Sequence, residues 1–529
     1  MIACVINLVG LKRIIQNGAC PEMFSIQTTK KKPLFPLLLL AAIIFAVSSS
    51  AAARPNILYI FTDDQSYRSI SAYEQAHPWV STPNIDKLAA SGMRFTTSYT
   101  GSWCQPSRLS FLTGLFQSNG KTMRITKYPD CQYDPKVLPF FPARFREYGY
   151  QTACIGKWHL GTDVGHGRDW DYSVIWDRAG PEENSHAYYE NTLVRYNGGE
   201  RVPLGGYSTD RYTELAVDYI KDKKDNDKPW FLWLCYGGVH GPYTEAERHE
   251  TKYAGTPETK IPVDIFGPRP TKPDFLKNLT RWKKDEDGKP IDFDKRVKKY
   301  NRAVASLDEG VGKVMAALKA SGQLENTLVV FTSDQGFAWG QHGLKEKWLP
   351  YDASICAPLI FSRPGVIAPN QVCQEPVNGM DITATFHTVA GIEPGWRMDG
   401  RDLSGLLKDP KEKLDEPLLL INTFHSYGED FLNILKNKEL EKLARKKVYA
   451  WMMMRSKQYK YIRAFKDDCI EELYDLEQDP DELNNLAVDS EYHKLLKKLR
   501  KKAIKEFRKK DGSFVDYLPA PKIISLEVN

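Results

Sequence analysis

With 529 residues, 42% hydrophobic and 26% charged, and a mean hydropathy of −0.46, the chain has the makeup of an ordinary soluble globular protein, which excludes fibrous and disordered classes. Its length allows one large core or two unequal ones, and two to four domains are expected from length alone. The net charge of +6 is unevenly spread: Lys494 to Lys510 holds ten Lys or Arg against Glu506 alone, a local +9. The remainder is near neutral or slightly acidic, so a nucleic-acid partner is not expected.

In chain order, Lys30-Lys31-Lys32 precedes an apolar stretch from Leu34 to Val47 and then Ser48-Ser49-Ser50-Ala51-Ala52-Ala53. A basic start, a short apolar middle and a small-residue exit make a secretory signal peptide, with cleavage expected after Ala53. The stretch is shorter than the roughly 20 residues a bilayer span needs, so no stable membrane span is expected after cleavage. Met23 is an alternative start to Met1. Export leads to a periplasmic or secreted location and an oxidising compartment, where seven cysteines need an account: Cys104, Cys131, Cys154, Cys235, Cys356, Cys373 and Cys469. Cys154 and Cys235 sit in apolar strand-like runs, where buried free thiols are the commoner outcome. Spacing cannot fix any pairing.

The mature chain opens with Asn56 to Phe61, a continuous apolar run of strand length. Thr152–Ile155, Phe231–Leu234, Leu328–Phe331 and Pro358–Phe361 are of the same kind, as in parallel sheets covered on both faces. Helical patterns lie between them. One is Ser107 to Phe116, opened by Pro106, and another is Ala303 to Ala320, with Val304, Leu307, Val311, Val314 and Leu318 on one face. Strand and helix in alternation predict an α/β fold, a large mostly parallel sheet sandwiched by helices. Thr251 to Arg296 is rich in Pro, Lys and Asp and reads as a long surface insertion. After about residue 410 short antiparallel strands appear, at Tyr449–Met454 and Tyr459–Ile462. An amphipathic helix follows with the apolar stripe Tyr492, Leu495, Leu496, Leu499, Ala503 and Phe507. The expected organisation is a leader over 1–53, a catalytic domain over 54–410, and a smaller C-terminal α+β subdomain over 411–529.

Polar residues fall just beyond the strands. Asp63-Asp64 follow the first, Lys157 and His159 the second, His240 the third, and Asp334-Gln335 the fourth. In open α/β sheets ligands bind past the carboxyl ends of strands, so four strand ends deliver acids and cations to one sheet edge. An isolated Asp-Asp at such a place is ordinarily a turn or cap; four agreeing clusters are not so explained. Asp63, Asp64, Asp334 and Gln335 offer oxygen ligands only, which suits Ca²⁺ or Mg²⁺. Arg108, Lys157, His159, His240 and Lys347 offer positive charge. Cations around a hard metal describe a pocket for a tetrahedral oxyanion, sulfate or phosphate.

Cys104-Gln105-Pro106-Ser107-Arg108, followed by Leu112-Thr113-Gly114, resembles the signature of the type I sulfatases of the alkaline-phosphatase superfamily. The resemblance continues through Pro55 to Gln65, Thr82 to Ala89, Gly156 to Gly161, Ser333 to Gly336, His342 to Lys347, and Leu473 to Leu486. It implies a sulfuric ester hydrolase whose Cys104 is oxidised by a separate maturation enzyme to Cα-formylglycine, the hydrated aldehyde being the nucleophile. It further implies that Asp63, Asp64, Asp334, Gln335 and the converted Cys104 bind the metal. By the same likeness Arg108 holds the nucleophile or a sulfate oxygen. Lys157, His240 and Lys347 grip sulfate and protonate the leaving oxygen, and His159 helps release sulfate. Two positions depart from the usual pattern, Gln105 in the signature and Gln335 beside Asp334. Spacing from His342 favours Lys347 over Lys345.

A phosphate or phosphonate ester hydrolase of the same superfamily is the first alternative. A non-catalytic binder of sulfated polymers, using the basic C-terminal helix, is the second. A sulfated carbohydrate is the expected substrate among sulfate esters, with Trp170, Trp176, Tyr188 and Tyr189 able to stack on sugar rings and the loops Thr162–Asp169 and 251–296 setting specificity.

Overall fold

Ten strands make the central sheet. They are β1 (Asn56–Thr62), β2 (Met93–Phe95), β3 (Gln151–Lys157), β4 (Tyr172–Trp176), β5 (Leu193–Tyr196), β6 (Arg201–Pro203), β7 (Trp230–Cys235), β8 (Thr327–Ser333), β9 (Leu359–Ser362) and β10 (Gln371–Cys373). The order is β10-β2-β9-β8-β1-β7-β3-β4-β5-β6. This computed structural model describes residues 54–522, apart from 121–122, 128–129 and 179–181; the expected leader lies outside the described residues. The middle five strands, β8-β1-β7-β3-β4, are all parallel. The outer strands β9 and β5 run antiparallel to their inner neighbours.

The expected apolar strands are the parallel centre, and their alternation feeds two cores. Leu58 and Ile60 of β1 enter one core while Ile57, Tyr59 and Phe61 enter the other. Leu232 and Leu234 of β7 likewise oppose Phe231 and Trp233. Six helices are relevant: α1 (Pro83–Ala90), α2 (Cys104–Thr113), α3 (Ser208–Asp222), α4 (Phe293–Ala320), α5 (Gly379–Ala390) and α6 (His493–Lys509). The apolar faces of α3 and α4 lie in the first core, and those of α2 and α5 in the second. The sandwich is the expected α/β architecture.

Several expectations need correction. Helix α2 begins at Cys104, not Ser107, so Pro106 sits in its third position. That place is still within the first turn, where no N–H has a helical acceptor and proline costs nothing. Helix α4 starts ten residues before the expected Ala303, because Val297 and Tyr300 extend the buried stripe through a charged segment. The 251–296 stretch is not merely a surface insertion: Lys272, Arg269 and Trp282 are buried. Lys272 Nζ donates to Tyr474 Oη at 2.7 Å and to the Glu482 carbonyl at 2.6 Å, which stitches the segment to the C-terminal part of the chain.

That part is built on a second, wholly antiparallel sheet: β11 (Leu418–Asn422), β12 (Trp451–Arg455), β13 (Tyr459–Ala464) and β14 (Glu472–Asp475), in that order. Helix α6 buries Leu496, Leu499, Ala503 and Phe507, while most of its cations are exposed. Its basic run is the solvated face of an amphipathic helix. Among the described residues no helix is long and apolar enough to cross a membrane. Six cysteines, Cys104, Cys154, Cys235, Cys356, Cys373 and Cys469, are buried free thiols.

Candidate active site

Because β8, β1, β7 and β3 are adjacent and parallel, the residues after them collect at one edge. Gly156 lets β3 deliver Lys157 there. Its φ is +108°, and a Cβ would lie 1.8 Å from the Cys235 carbonyl oxygen of the neighbouring strand, so no larger residue fits. Asp64 (φ +59°) and His159 (φ +63°) adopt left-handed backbone just past their strands. Such conformations cost energy in non-glycine residues and gather at functional sites. Asp64 is held in place from both sides: its N–H donates to Asp334 Oδ1 at 3.1 Å, and its carbonyl accepts from Tyr300 Oη at 2.7 Å.

Cys104, the first residue of α2, is the centre of the cluster. Its Sγ lies 3.1 Å from Lys347 Nζ, 3.4 Å from Asp63 Oδ1 and 3.7 Å from Gln335 Nε2. Lys347 Nζ also donates to both carboxylate oxygens of Asp64, at 2.7 and 2.8 Å. Lys157 Nζ pairs with Asp63, and both are fully buried. One turn along α2, Arg108 donates to the Lys157 carbonyl at 2.7 Å and to Asp334 Oδ2 at 3.3 Å, with no exposure of either side chain. His240 Nε2 is 3.6 Å from Asp64 Oδ2, its side chain 24% exposed. Tyr188 stacks on the His240 ring at 4.1 Å, nearly parallel to it. Lys345, the near neighbour of Lys347, instead lies 6.0 Å over the Trp282 ring.

Burial and charge compete at each group. Burial alone would raise Asp63, but Lys157 above all, with Lys347 and Arg108, outweighs it and holds the carboxyl well below its usual range. Asp64 and Asp334 go up, burial leading and Asp63 adding repulsion, Asp334 to about 7. Burial and the Asp63 charge push the Cys104 thiol up to about 12. Both His159 and His240 are held neutral, first by burial. Arg178 is the next cause at His159 and Lys347 at His240.

Every expected site residue is brought to this edge, but His159 stands somewhat apart. Its Nε2 is 3.1 Å from Arg178 Nη1, and Arg178 also donates to the Ser185 carbonyl at 3.0 Å. Sequence reasoning missed Arg178, although it lies just beyond β4 and the same strand-end argument reaches it. It also misread the aromatics. Trp170 and Trp176 are fully buried, Trp170 stacking on Phe231 and Trp233 inside the core, so neither can stack on a sugar. Tyr188 and Tyr189 are buried as well, and serve His240 instead: Tyr189 Oη donates to its carbonyl at 2.6 Å. His342 pairs with Asp264 at 3.0 Å, away from the cluster.

The residues fit a hard divalent cation. Ligand atoms of Asp63, Asp64, Cys104 and Asp334 lie within 4.8 Å of one another, all buried. Gln335 Oε1 is buried without a hydrogen-bond partner while its Nε2 faces Asp64. Turning the amide over places that oxygen toward the carboxylates, as an oxygen ligand requires.

Residues 55–392 match the family model described as Sulfatase. The chain belongs to the sulfatase family. This sulfatase matches a second model over residues 340–510, N-sulphoglucosamine sulphohydrolase, C-terminal. It is 27% identical over 537 residues to an N-acetylglucosamine-6-O-sulfatase of Bacteroides thetaiotaomicron, covering 90% of each chain. It is 29% identical over 365 residues to human iduronate 2-sulfatase, covering 62% of this chain and 64% of that one. Among solved structures, a protein in complex with its substrate D-glucosamine-2-N,6-O-disulfate shares the fold at TM-score 0.72 and 24% identity, over 88% of this chain and 99% of that one. The phosphonate monoester hydrolase of Agrobacterium radiobacter shares it at 0.66 and 21%, over 86% and 96%. The sulfatase is thus a sulfuric ester hydrolase on an alkaline-phosphatase-like fold.

Proposed function

We propose that this sulfatase is exported, periplasmic or secreted, and removes sulfate from a sulfated glycan, using formylglycine made from Cys104 and Ca²⁺, or Mg²⁺, bound by Asp63, Asp64, Asp334 and Gln335. One observation carries the reading: a side chain at position 104 is aimed at Asp63, Gln335 and Lys347 together. Burial pushes its thiol up to about 12, and a neutral thiol is a poor nucleophile. Formylglycine supplies a hydrated aldehyde with one hydroxyl to attack sulfur and a second to expel sulfate. The cation would supply compensating charge for the three carboxylates and the entering anion.

The chain's own residues do the rest. Lys157 and Lys347 hold fixed positive charge where the sulfate oxygens must sit, and the positive end of α2 adds to it. Arg108 fixes Asp334, whose carboxylate stands close to residue 104, where it can take the nucleophile's proton. His240, partly open to solvent, is placed to hand a proton to the leaving oxygen once an anion offsets Lys347. His159, neutral and accepting from Arg178 at Nε2, takes the proton of the second hydroxyl at that nitrogen once Arg178 gives it up. The glycan assignment rests on the amino-sugar sulfatase similar over 90% of the chain.

The test has two readouts, mass spectrometry of the peptide carrying residue 104 and sulfate release from defined sulfated oligosaccharides beside an aryl phosphate. Formylglycine at 104 and sulfate release lost in Cys104→Ala are expected. Unmodified Cys104 in fully active enzyme, or a clear preference for phosphate, overturns the reading.

A further inference from the structure

Two tryptophans bracket the reactive groups in sequence: Trp103 immediately precedes Cys104, and Trp348 immediately follows Lys347. Both are buried, and both carry cations from the C-terminal part of the chain. The Arg445 guanidinium lies 4.8 Å over the Trp103 ring and 5.2 Å over the Trp348 ring. Lys446 Nζ lies 5.0 Å over Trp348. His425 meets Trp103 edge-on at 4.7 Å and places Nε2 against Arg445 Nη1. Tryptophan faces attract cations, so the rings next in sequence to Cys104 and Lys347 hold Arg445 and Lys446 over them.

The segment that presents them is a tight hairpin, with Arg445 paired to Val448 across a two-residue turn. Such turns need left-handed backbone at both central positions and favour Asn-Gly. Here Lys446 (φ +47°) and Lys447 (φ +68°) fill them, at a cost glycine would avoid. Arg281 Nη2, from the 251–296 segment, holds the Lys446 carbonyl at 3.0 Å. Among the described residues neither Lys446 nor Lys447 is in an ion pair, and both are exposed. A strained turn of two lysines, anchored by Arg281 and with Lys446 over Trp348, presents positive charge that the carboxylate cluster does not pair.

We propose that Arg445, with Lys446 and His425 beside it, forms a second anion subsite that grips another sulfate or carboxylate on the same substrate, so that the enzyme selects multiply anionic sugars. The inference rests on the sulfated-glycan reading above and narrows it. Isothermal titration with the Cys104→Ala protein keeps the ligand intact. The ligands are N-acetylglucosamine 6-sulfate with one anion, glucosamine N,6-disulfate with two sulfates, and a 2-sulfated uronic acid with a sulfate and a carboxylate. At least one dianion should bind about tenfold or more tightly than the monoanion, the size expected for one charge-assisted contact. Which dianion does so identifies the second group as sulfate or carboxylate. Arg445→Gln, and separately Lys446→Ala with Lys447→Ala, should shrink that ratio toward one. Equal affinities for all three ligands, binding of none, or a uniform loss in the variants overturns the subsite, the last showing that Arg445 merely supports Trp103. Wild-type protein that releases no sulfate from any glycan would instead sink the parent reading, and is scored separately.

Discussion

Replacing Lys347 with methionine keeps the aliphatic stem and deletes the charge that touches both Asp64 oxygens and the residue-104 side chain. At 2.7 Å, and an effective dielectric of 20, one such pair is worth about 6 kcal/mol of attraction. The desolvation of two buried ions cancels part of it, and removing one partner of a buried pair costs about 3–5 kcal/mol. Here the orphaned Asp64 also faces Asp63 and Asp334 across less than 4.8 Å. Without metal, Lys347→Met should therefore melt well below the wild type. Saturating Ca²⁺ should recover much of the difference, because the cation meets the same carboxylates. Catalysis should not recover. A fixed cation facing developing negative charge contributes about 10²–10³ in kcat, and the divalent ion cannot also stand at the Nζ position. Thermal melts with and without Ca²⁺, beside kcat for sulfate release at saturating Ca²⁺, separate the two effects. A kcat within about threefold of wild type would refute the role read for Lys347.

Arg178→Met should move the acid limb of the kcat/KM profile to higher pH, since it removes a cation that helps hold His159 neutral; an unmoved limb argues that His159 carries no proton in turnover. Gln335→Leu should weaken Ca²⁺ binding about tenfold in a calorimetric titration, and unchanged affinity would show that the amide oxygen is no ligand. Burial raises Asp169 to about 6 against the pull of Arg168. Its contribution to stability is therefore full below the ordinary value near 3.8 and lost as pH rises through about 6. Asp169→Asn should flatten the fall in denaturation midpoint across that window, and an unchanged slope contradicts the assignment. Trp451→Phe keeps an aromatic ring but deletes the indole N–H bonded to the Trp348 carbonyl; it should lower kcat several-fold, and also the melting temperature because a smaller ring is left in a buried site. Full activity in that variant would show that the bond does not position Lys347.

The parallel centre of the sheet was legible because each of its strands is a continuous apolar run, and the site followed from what stands after each run. Asp63, Lys157, His240 and Asp334 all fell to that one rule. Arg178 obeys it too but was passed over, because β4 opens with the half-buried Tyr172 and reads less plainly as a strand. The aromatic stacking expectation failed on a different point. Trp170 and Trp176 are near the site in sequence, yet proximity does not say which sheet face a side chain takes, and both turn into a core. The start of α2 was misplaced because proline at the first helical position is a frequency, whereas proline anywhere in the first turn satisfies the same physics. Buried polar stitching such as Lys272 to Tyr474 leaves no local pattern at all, since its partners lie about 200 residues apart.

The boundary drawn near residue 410 separates two textures of sequence, but the chemistry crosses it. Lys347 reaches the cluster from a stretch whose backbone is left-handed at Glu346 (φ +105°) and at Trp348 (φ +94°), a conformation that bulky side chains avoid. Its stability depends on what holds it. The Trp348 carbonyl accepts from Asn422 Nδ2 at 3.2 Å and from Trp451 Nε1 at 2.7 Å, and both donors belong to the antiparallel sheet. Lys460 of the same sheet pairs with Glu482 at 2.6 Å and with Asp352, four residues past Trp348. The C-terminal sheet thus offsets the strain that aims Lys347, and the cations at Arg445 and Lys446 come from the same part of the chain. A protein cut after residue 410 would keep Cys104 and the carboxylates but lose the restraint on Lys347. Substrate selection and the placement of fixed charge are on this view one design, with the C-terminal part of the chain supplying both.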